Sequence, residues 1–172
     1  VLSEVKTLIE YYKLKPLPVE GTLFCSTYRP IPEGGKPLGS AIIGLYCEQP
    51  RSCSLFHKLA VDEIWHFYKG DPLRLILLYP DGSTRDVIMG DDVLSGQFVQ
   101  FIVPAGVWQA GELLSGGRYS LYGCTMAPGF TEDMFEGGTA ANLIEAYPVR
   151  NEDISRLSCR QDDLTMPEGA AT

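Results

Sequence analysis

The stretch "FHKLAVDEIWHFYKGDPLRLILLYPDG", Phe56–Gly82, holds both histidines of the chain, His57 and His66, on either side of an acidic pair, Asp62-Glu63. "SLFHKLAV" alternates as a strand does, so Leu55, His57 and Leu59 share one face. Asp62-Glu63 then marks a turn into a second strand. There Glu63, Trp65 and Phe67 share one face, and Ile64, His66 and Tyr68 share the other. "PLRLILLYP" reads as a buried strand, and Asp81-Gly82 is a two-residue hairpin signal. The expected arrangement is a hairpin that sets His57 opposite Glu63, with His66 on the far face at the surface or a subunit contact.

The same period extends in both directions. "GTLFCSTYRP", "SAIIGLYCE", "STRDVIMG", "QFVQFIVPAG", "WQAGEL" and "YSLYGCTMAP" all read as strands, separated by glycine- and proline-bearing turns. Many short strands at intervals near ten residues predict an all-β sandwich or closed barrel. Before them, Val5, Leu8, Ile9 and Tyr12 recur at helical spacing, with Ser3 as N-cap and Pro16 and Pro18 as stops. After them, short helical turns are expected near 140–146 and 151–158. The tail "RQDDLTMPEGAAT" is poor in bulky apolar residues and is expected to be disordered. The chain divides into a lead-in over 1–20, a barrel over 21–150, and a C-terminal turn and tail over 151–172.

A length of 172 residues fits one domain with a core of its own. The net charge is −8 and no basic stripe occurs, which argues against nucleic acid and against an electrostatic membrane anchor. No apolar run approaches a membrane span, and Val1-Leu2-Ser3-Glu4 leads straight into the amphipathic pattern, so no signal peptide is expected. The five cysteines form no C-x-x-C and read as free thiols of a reducing, cytoplasmic compartment. Phosphate-loop, dinucleotide, serine-elbow and zinc-helix motifs are absent.

That leaves His57 and Glu63. A histidine among leucines is by itself more often a packed core residue. An imidazole facing a carboxylate in an apolar cavity is different, because a buried charge needs a partner or a use. Such a pair binds a metal or works as acid and base.

The spacing of His57, Leu59, Glu63 and Gly70 resembles the first cupin motif, H-x-H-x3-E-x6-G, and "PAGVWQ", with Pro104, Gly106 and Gln109, resembles the second, P-x-G-x-x-H. The chain resembles a small one-domain cupin, of a largely uncharacterised family with an H-x4-D-E-x-W-H core. The resemblance implies a jelly-roll barrel with an N-terminal helix, short C-terminal helical turns and a homodimeric assembly. Leu59 and Gln109 replace two of the usual metal-binding histidines. The remaining set, His57, Glu63 and Gln109, would hold a divalent iron, nickel, zinc or manganese ion weakly.

Metal-free cupin-like sugar epimerases use a histidine base and a tyrosine acid, which draws attention to Tyr119 and Tyr122. Three residues apart on a strand, the two point to different faces. The resemblance further implies that "EGTLFCSTYR" lies near the barrel mouth, where Arg29 can reach an anionic substrate group. Pro18, Thr22 and Leu23 replace the histidine, glycine and aromatic residue usual there. The catalytic candidates are His57, Glu63 and Tyr119. The substrate-binding candidates are Gln109, Trp65, Arg29, Tyr122 and Phe67.

The expected function is proton transfer on a small organic molecule: isomerisation, epimerisation, cyclisation or elimination. The alternatives are a metal-dependent oxygenase or isomerase and a non-catalytic small-molecule binder.

Overall fold

The computed structural model describes residues 2–170, with side chains from Glu4 onward. The cap read at Ser3 therefore falls outside the described side chains. The helix α1, Leu2–Tyr12, is followed by β1, Lys15–Pro16, and β2, Leu23–Tyr28. Then come β3, Ser40–Cys47; β4, Ser54–Leu59; β5, Glu63–Gly70; β6, Leu73–Leu78; and β7, Thr84–Met89. The barrel continues with β8, Gln100–Val103; β9, Trp108–Leu113; β10, Tyr119–Met126; and β11, Phe135–Gly137. Two short helices close the chain, α2 at Ala140–Ala146 and α3 at Asn151–Leu157.

The strands form two antiparallel sheets. One has the order β1-β2-β3-β10-β5-β8 and the other β11-β4-β9-β6-β7. This is a jelly roll. Among the described residues, β1-β2, β2-β3 and β6-β7 join strands consecutive in the chain, and the other pairs join strands apart in sequence, with β10 lying between β3 and β5. The expected hairpin of β4 and β5 does not exist. β4 pairs with β9 and β11, β5 with β10 and β8, and Ala60–Asp62 carries the chain from one sheet to the other. His57 and Glu63 therefore belong to opposite sheets. The Asp81-Gly82 turn does close a hairpin, but with a longer tip: Tyr79 N–H donates to the Ser83 carbonyl, and Gly82 adopts a φ of 87°.

Burial explains the sequence patterns. On β6, Leu73, Leu75 and Leu77 face the barrel, packed with Tyr46, Trp65, Val87, Met89 and Leu113. Ile76 and Leu78 face the other way, under Leu143, Tyr147, Ile154 and Leu157 of the C-terminal helical segment. The strand is covered on both sides, so it reads as a continuous apolar run. Arg74 is its exception and serves as a clamp, with Asp153 of α3 at 3.0 Å and Asp86 of β7 at 2.9 Å. On the outside of the first sheet, Val5, Leu8, Ile9 and Tyr12 of α1 pack over Leu23, Leu45, Tyr119 and Leu121.

The tail lies against the barrel through Ala170. The Gly137 N–H donates to the Leu164 carbonyl at 2.8 Å, and the Gly169 N–H to Glu132 Oε1 at 3.1 Å. Met166 packs with Leu17, Phe24, Leu59, Met126 and Phe135. A single methionine with backbone hydrogen bonds on either side suffices to dock a polar segment whose composition reads as solvated. Among the described residues, no helix is long and apolar enough to cross a membrane, and the five cysteines are free.

Two glycines make room for the aromatic plug of the barrel. A Cβ on Gly44 would overlap the Tyr122 ring, and one on Gly111 would overlap the Tyr46 hydroxyl. Neither glycine has a positive φ, so space alone requires them. Gly44→Ala and Gly111→Ala are each expected to destabilise the fold by about 1–3 kcal/mol, the usual cost of overpacking. Urea denaturation measures this, and a loss near zero in both would mean that the tyrosines are not held where described.

Candidate functional site

A cavity opens at the end of the barrel where Met166 and its neighbours gather. His57, Glu63, Glu20, Cys124 and Arg29 supply its charged and ionisable groups, Ser26 and Ser40 its hydroxyls, and Leu17, Phe24, Ile42, Leu59, Phe130 and Phe135 much of its apolar wall. The cavity leaves the centre of a water-sized molecule about 50 Å³ in which to move, and it opens to solvent.

The β4 backbone aims His57 inward, where it is 2% exposed. Its Nδ1 lies 2.7 Å from the Leu55 carbonyl oxygen, and its ring stacks on Phe135 at 5.2 Å. A carbonyl only accepts, so Nδ1 carries a hydrogen, and in the neutral ring Nε2 bears the lone pair. That Nε2 lies 3.9 Å from Glu20 Oε2. Glu20 stands in the loop before β2, and its other oxygen, Oε1, accepts from the Ser54 hydroxyl at 2.5 Å. Ser54 in turn accepts from the Tyr46 hydroxyl at 2.5 Å.

Glu63 enters from β5 of the other sheet. Its Oε2 accepts from Gln109 Nε2 at 2.7 Å and from Trp65 Nε1 at 3.1 Å. Burial pushes the Glu63 carboxyl above the ordinary carboxylate range. The nearby Glu20 adds to that rise, while His57 and the donors Gln109 and Cys124 oppose it. Desolvation is the main cause, as for other carboxyls placed in apolar pockets.

The other candidates are distributed differently from the sequence reading. Arg29 lines the cavity. Trp65 and Gln109 lie behind Glu63, fully buried, and bond to each other at 3.0 Å as well as to the carboxyl. Tyr122 also lies in the layer behind, stacked on Trp65 at 4.9 Å, with its hydroxyl 2.6 Å from Thr22 Oγ1. Phe67 follows Trp65 along the inward face of β5 but packs on the solid part of the core. Tyr119 is outside the barrel, under α1, where its hydroxyl donates to Glu4 at 2.8 Å. Alternation along β10 sends it to the face opposite Tyr122, so it cannot reach His57. His66 lies on the outer face, 2.9 Å from Thr125 Oγ1.

Sequence reasoning missed Glu20, Ser54 and Cys124. Glu20 is the residue with a usable signal, since it stands in the segment likened to the barrel mouth. Its approach to His57 depends on a loop in which Val19 takes a φ of 65° and Gly21 one of 98°. Cys124 is one of several apolar-looking positions on β10, and its thiol pKa is pushed well above the ordinary value by burial.

The donor set does not fit a metal ion. Gln109 gives its Oε1 to Trp65 and its Nε2 to Glu63, so its amide oxygen is engaged behind the cavity. Leu59 offers no donor. Among the described residues, no three His, Cys, Asp or Glu side chains converge in a metal-holding arrangement. The expected set of His57, Glu63 and Gln109 is thus a histidine facing a carboxyl whose Oε2 is already occupied.

The comparisons with known proteins agree with this architecture. The family described as "Cupin superfamily (DUF985)" matches residues 6–137. A Shewanella oneidensis protein, SO0799, has a solved structure that superposes with a TM-score of 0.81 at 31% identity, covering 91% of this chain and 98% of that one. A hypothetical protein from Leishmania major gives 0.79 at 28%, covering 90% and 98%. The uncharacterized protein YML079W of Saccharomyces cerevisiae is 32% identical over 78 residues, which is 44% of this chain and 38% of the yeast protein. With a matched span that covers most of the barrel, the chain belongs to the cupin superfamily, in the family designated DUF985.

Proposed function

We propose that the cavity performs proton transfer on a small organic molecule, with His57 and Glu63 as the acid–base pair. The observation that carries this reading is the difference between the two groups. His57 has its Nδ1–H tied to a carbonyl, so its neutral tautomer turns Nε2 toward the cavity as the proton acceptor. Glu63 has a carboxyl whose neutral form is favoured by burial, the form that donates one. A histidine oriented by its Nδ1–H and a carboxyl held toward its neutral form by burial, together in an apolar cavity, suit isomerisation, epimerisation or elimination.

Each neighbour has a part in this scheme. A proton taken up at Nε2 comes to lie near Glu20 Oε2, which then offsets the imidazolium charge. Phe135 and Leu55 hold the ring in one orientation. Trp65 and Gln109 hold Glu63 Oε2, so the proton to be donated is carried on the other oxygen. Cupins host many chemistries, and the family itself supplies no substrate.

The test is a nuclear magnetic resonance screen of small organic acids and sugars in heavy water, watching for deuterium incorporation or a new isomer. Glu63→Gln keeps the shape and the hydrogen bonds to Trp65 and Gln109. That variant and His57→Asn are each expected to slow exchange about 10²-fold or more. Unchanged exchange in both would overturn the assignment, and binding with no exchange would leave a non-catalytic binder.

The raised Glu63 pKa also predicts a pH dependence of stability. The unfolded carboxyl titrates near about 4.3. The folded protein keeps its proton to higher pH, so this contribution is fully present below the unfolded value and is lost as pH rises through the folded value. Glu63→Gln removes that loss. From about pH 4 to neutrality, the melting temperature of the variant is expected to gain relative to that of the parent, as read by circular dichroism. Parallel curves would show that Glu63 is not raised.

A further inference from the structure

We infer that the ligand of this cavity is a dipolar small molecule: an organic anion that docks its acidic group on Arg29 at the mouth and points a hydroxyl or amine at Glu20 and Glu63. The inference rests on reading the cavity as a small-molecule site and adds the chemical class and its orientation.

Arg29 follows the end of β2 and is the only arginine or lysine lining the cavity among the described residues. Its Nε and Nη2 donate to the Phe130 carbonyl at 3.3 and 3.2 Å. Two of its five N–H groups are thereby used, and the plane of the guanidinium is set. No carboxylate among the described residues lies within ion-pair distance of Arg29. The other half-buried arginines, Arg74 and Arg150, each have one. In a chain with 22 acidic against 14 basic residues, a half-buried guanidinium with no acidic partner, held in the wall of a pocket, has the geometry of a receptor for an external anion.

The inner end has the opposite character. Glu20 Oε1 takes Ser54, and Glu63 Oε2 takes Trp65 and Gln109. Glu20 Oε2 and His57 Nε2 remain as acceptors, beside the second oxygen of Glu63, which carries the proton of the neutral carboxyl. A hydrogen-bond donor is favoured among them, and a second anion would meet two carboxyl groups. Between the ends, Leu17, Phe24, Ile42 and Phe135 contribute an apolar wall with no polar side-chain atom. The cavity therefore selects an anion at one end, an apolar body, and a donor at the other, and the two charged ends fix which way it enters.

Isothermal titration calorimetry on the full chain tests this with three matched probe series: ω-hydroxycarboxylates from glycolate upward, the corresponding ω-hydroxyamides, and the carboxylates without the hydroxyl. At least one hydroxycarboxylate is expected to bind about tenfold or more tightly than its amide, the effect of one charge-assisted contact. Arg29→Gln is expected to abolish that difference while leaving the thermal melt unchanged, and the hydroxyl-free carboxylate is expected to bind more weakly than its hydroxylated partner. If no carboxylate outbinds its amide, or if the preference survives in Arg29→Gln, the inference is overturned. Selective carboxylate binding without deuterium exchange supports the ligand class and overturns only the proton-transfer reading. Exchange on neutral probes, indifferent to Arg29, does the reverse.

Discussion

The indole N–H of Trp65 is shared between Glu63 Oε2 and Gln109 Oε1, at 3.1 and 3.0 Å, and the rest of the interior is arranged around that contact. A carboxyl inside a barrel is costly unless donors meet it. Here the donors come from both sheets, Trp65 from β5 and Gln109 from β9. The contact therefore ties the two sheets together at the level where the solid core ends and the cavity begins. Below it, Leu73, Leu75, Leu77 and Met89 fill the barrel completely. Above it, one Glu63 oxygen and the His57 imidazole are left to face an open volume.

Glu20 is held by a parallel device. A chain of buried hydroxyls leads from it through Ser54 to Tyr46, while Tyr122, in contact with the Tyr46 ring, bonds to Thr22. Burial pushes both tyrosine pKa values well above the ordinary value, so the hydroxyls stay neutral and serve as fixed dipoles. Gly44 and Gly111 are the cost of fitting these rings. The outcome is a loop carboxylate aimed at an imidazole, in a region where the backbone alone would leave it solvated.

Membership of the cupin superfamily bears on this chemistry in a particular way. By the likened motifs, His57 and Glu63 stand where metal-binding groups are expected, and Gln109 stands at a third such position. In this chain the third has been turned into a support for the second. The same backbone positions thus serve an arrangement of hydrogen bonds in place of a coordination shell, which is how one fold comes to carry unlike functions.

Much of the fold was legible locally. The strands from Leu23 to Met126, the helix at Ala140–Ala146 and the turn of helix after Asn151 all follow from periodicity and from glycine and proline punctuation. The two-residue β1 and three-residue β11 were too short to carry a period, and the docked tail depends on one methionine. His57, Glu63 and Arg29 were identified as cavity candidates because strand alternation and the likened motifs place them on the inward side. Tyr119 was misplaced because alternation tells which residues share a face but not which face is inside. Glu20 and Ser54 were missed because the approach of Glu20 to His57 and to the Ser54 hydroxyl comes from a loop with left-handed backbone. The strands, their alternating faces and the residue types available for chemistry depend on neighbours along the chain and could be read from it. That His57 and Glu63 meet across two sheets, that Gln109 is engaged behind Glu63 and that Glu20 lines the same cavity depends on the closed fold. Those contacts are made between strands and loops whose partners are set by how the sheets close on one another.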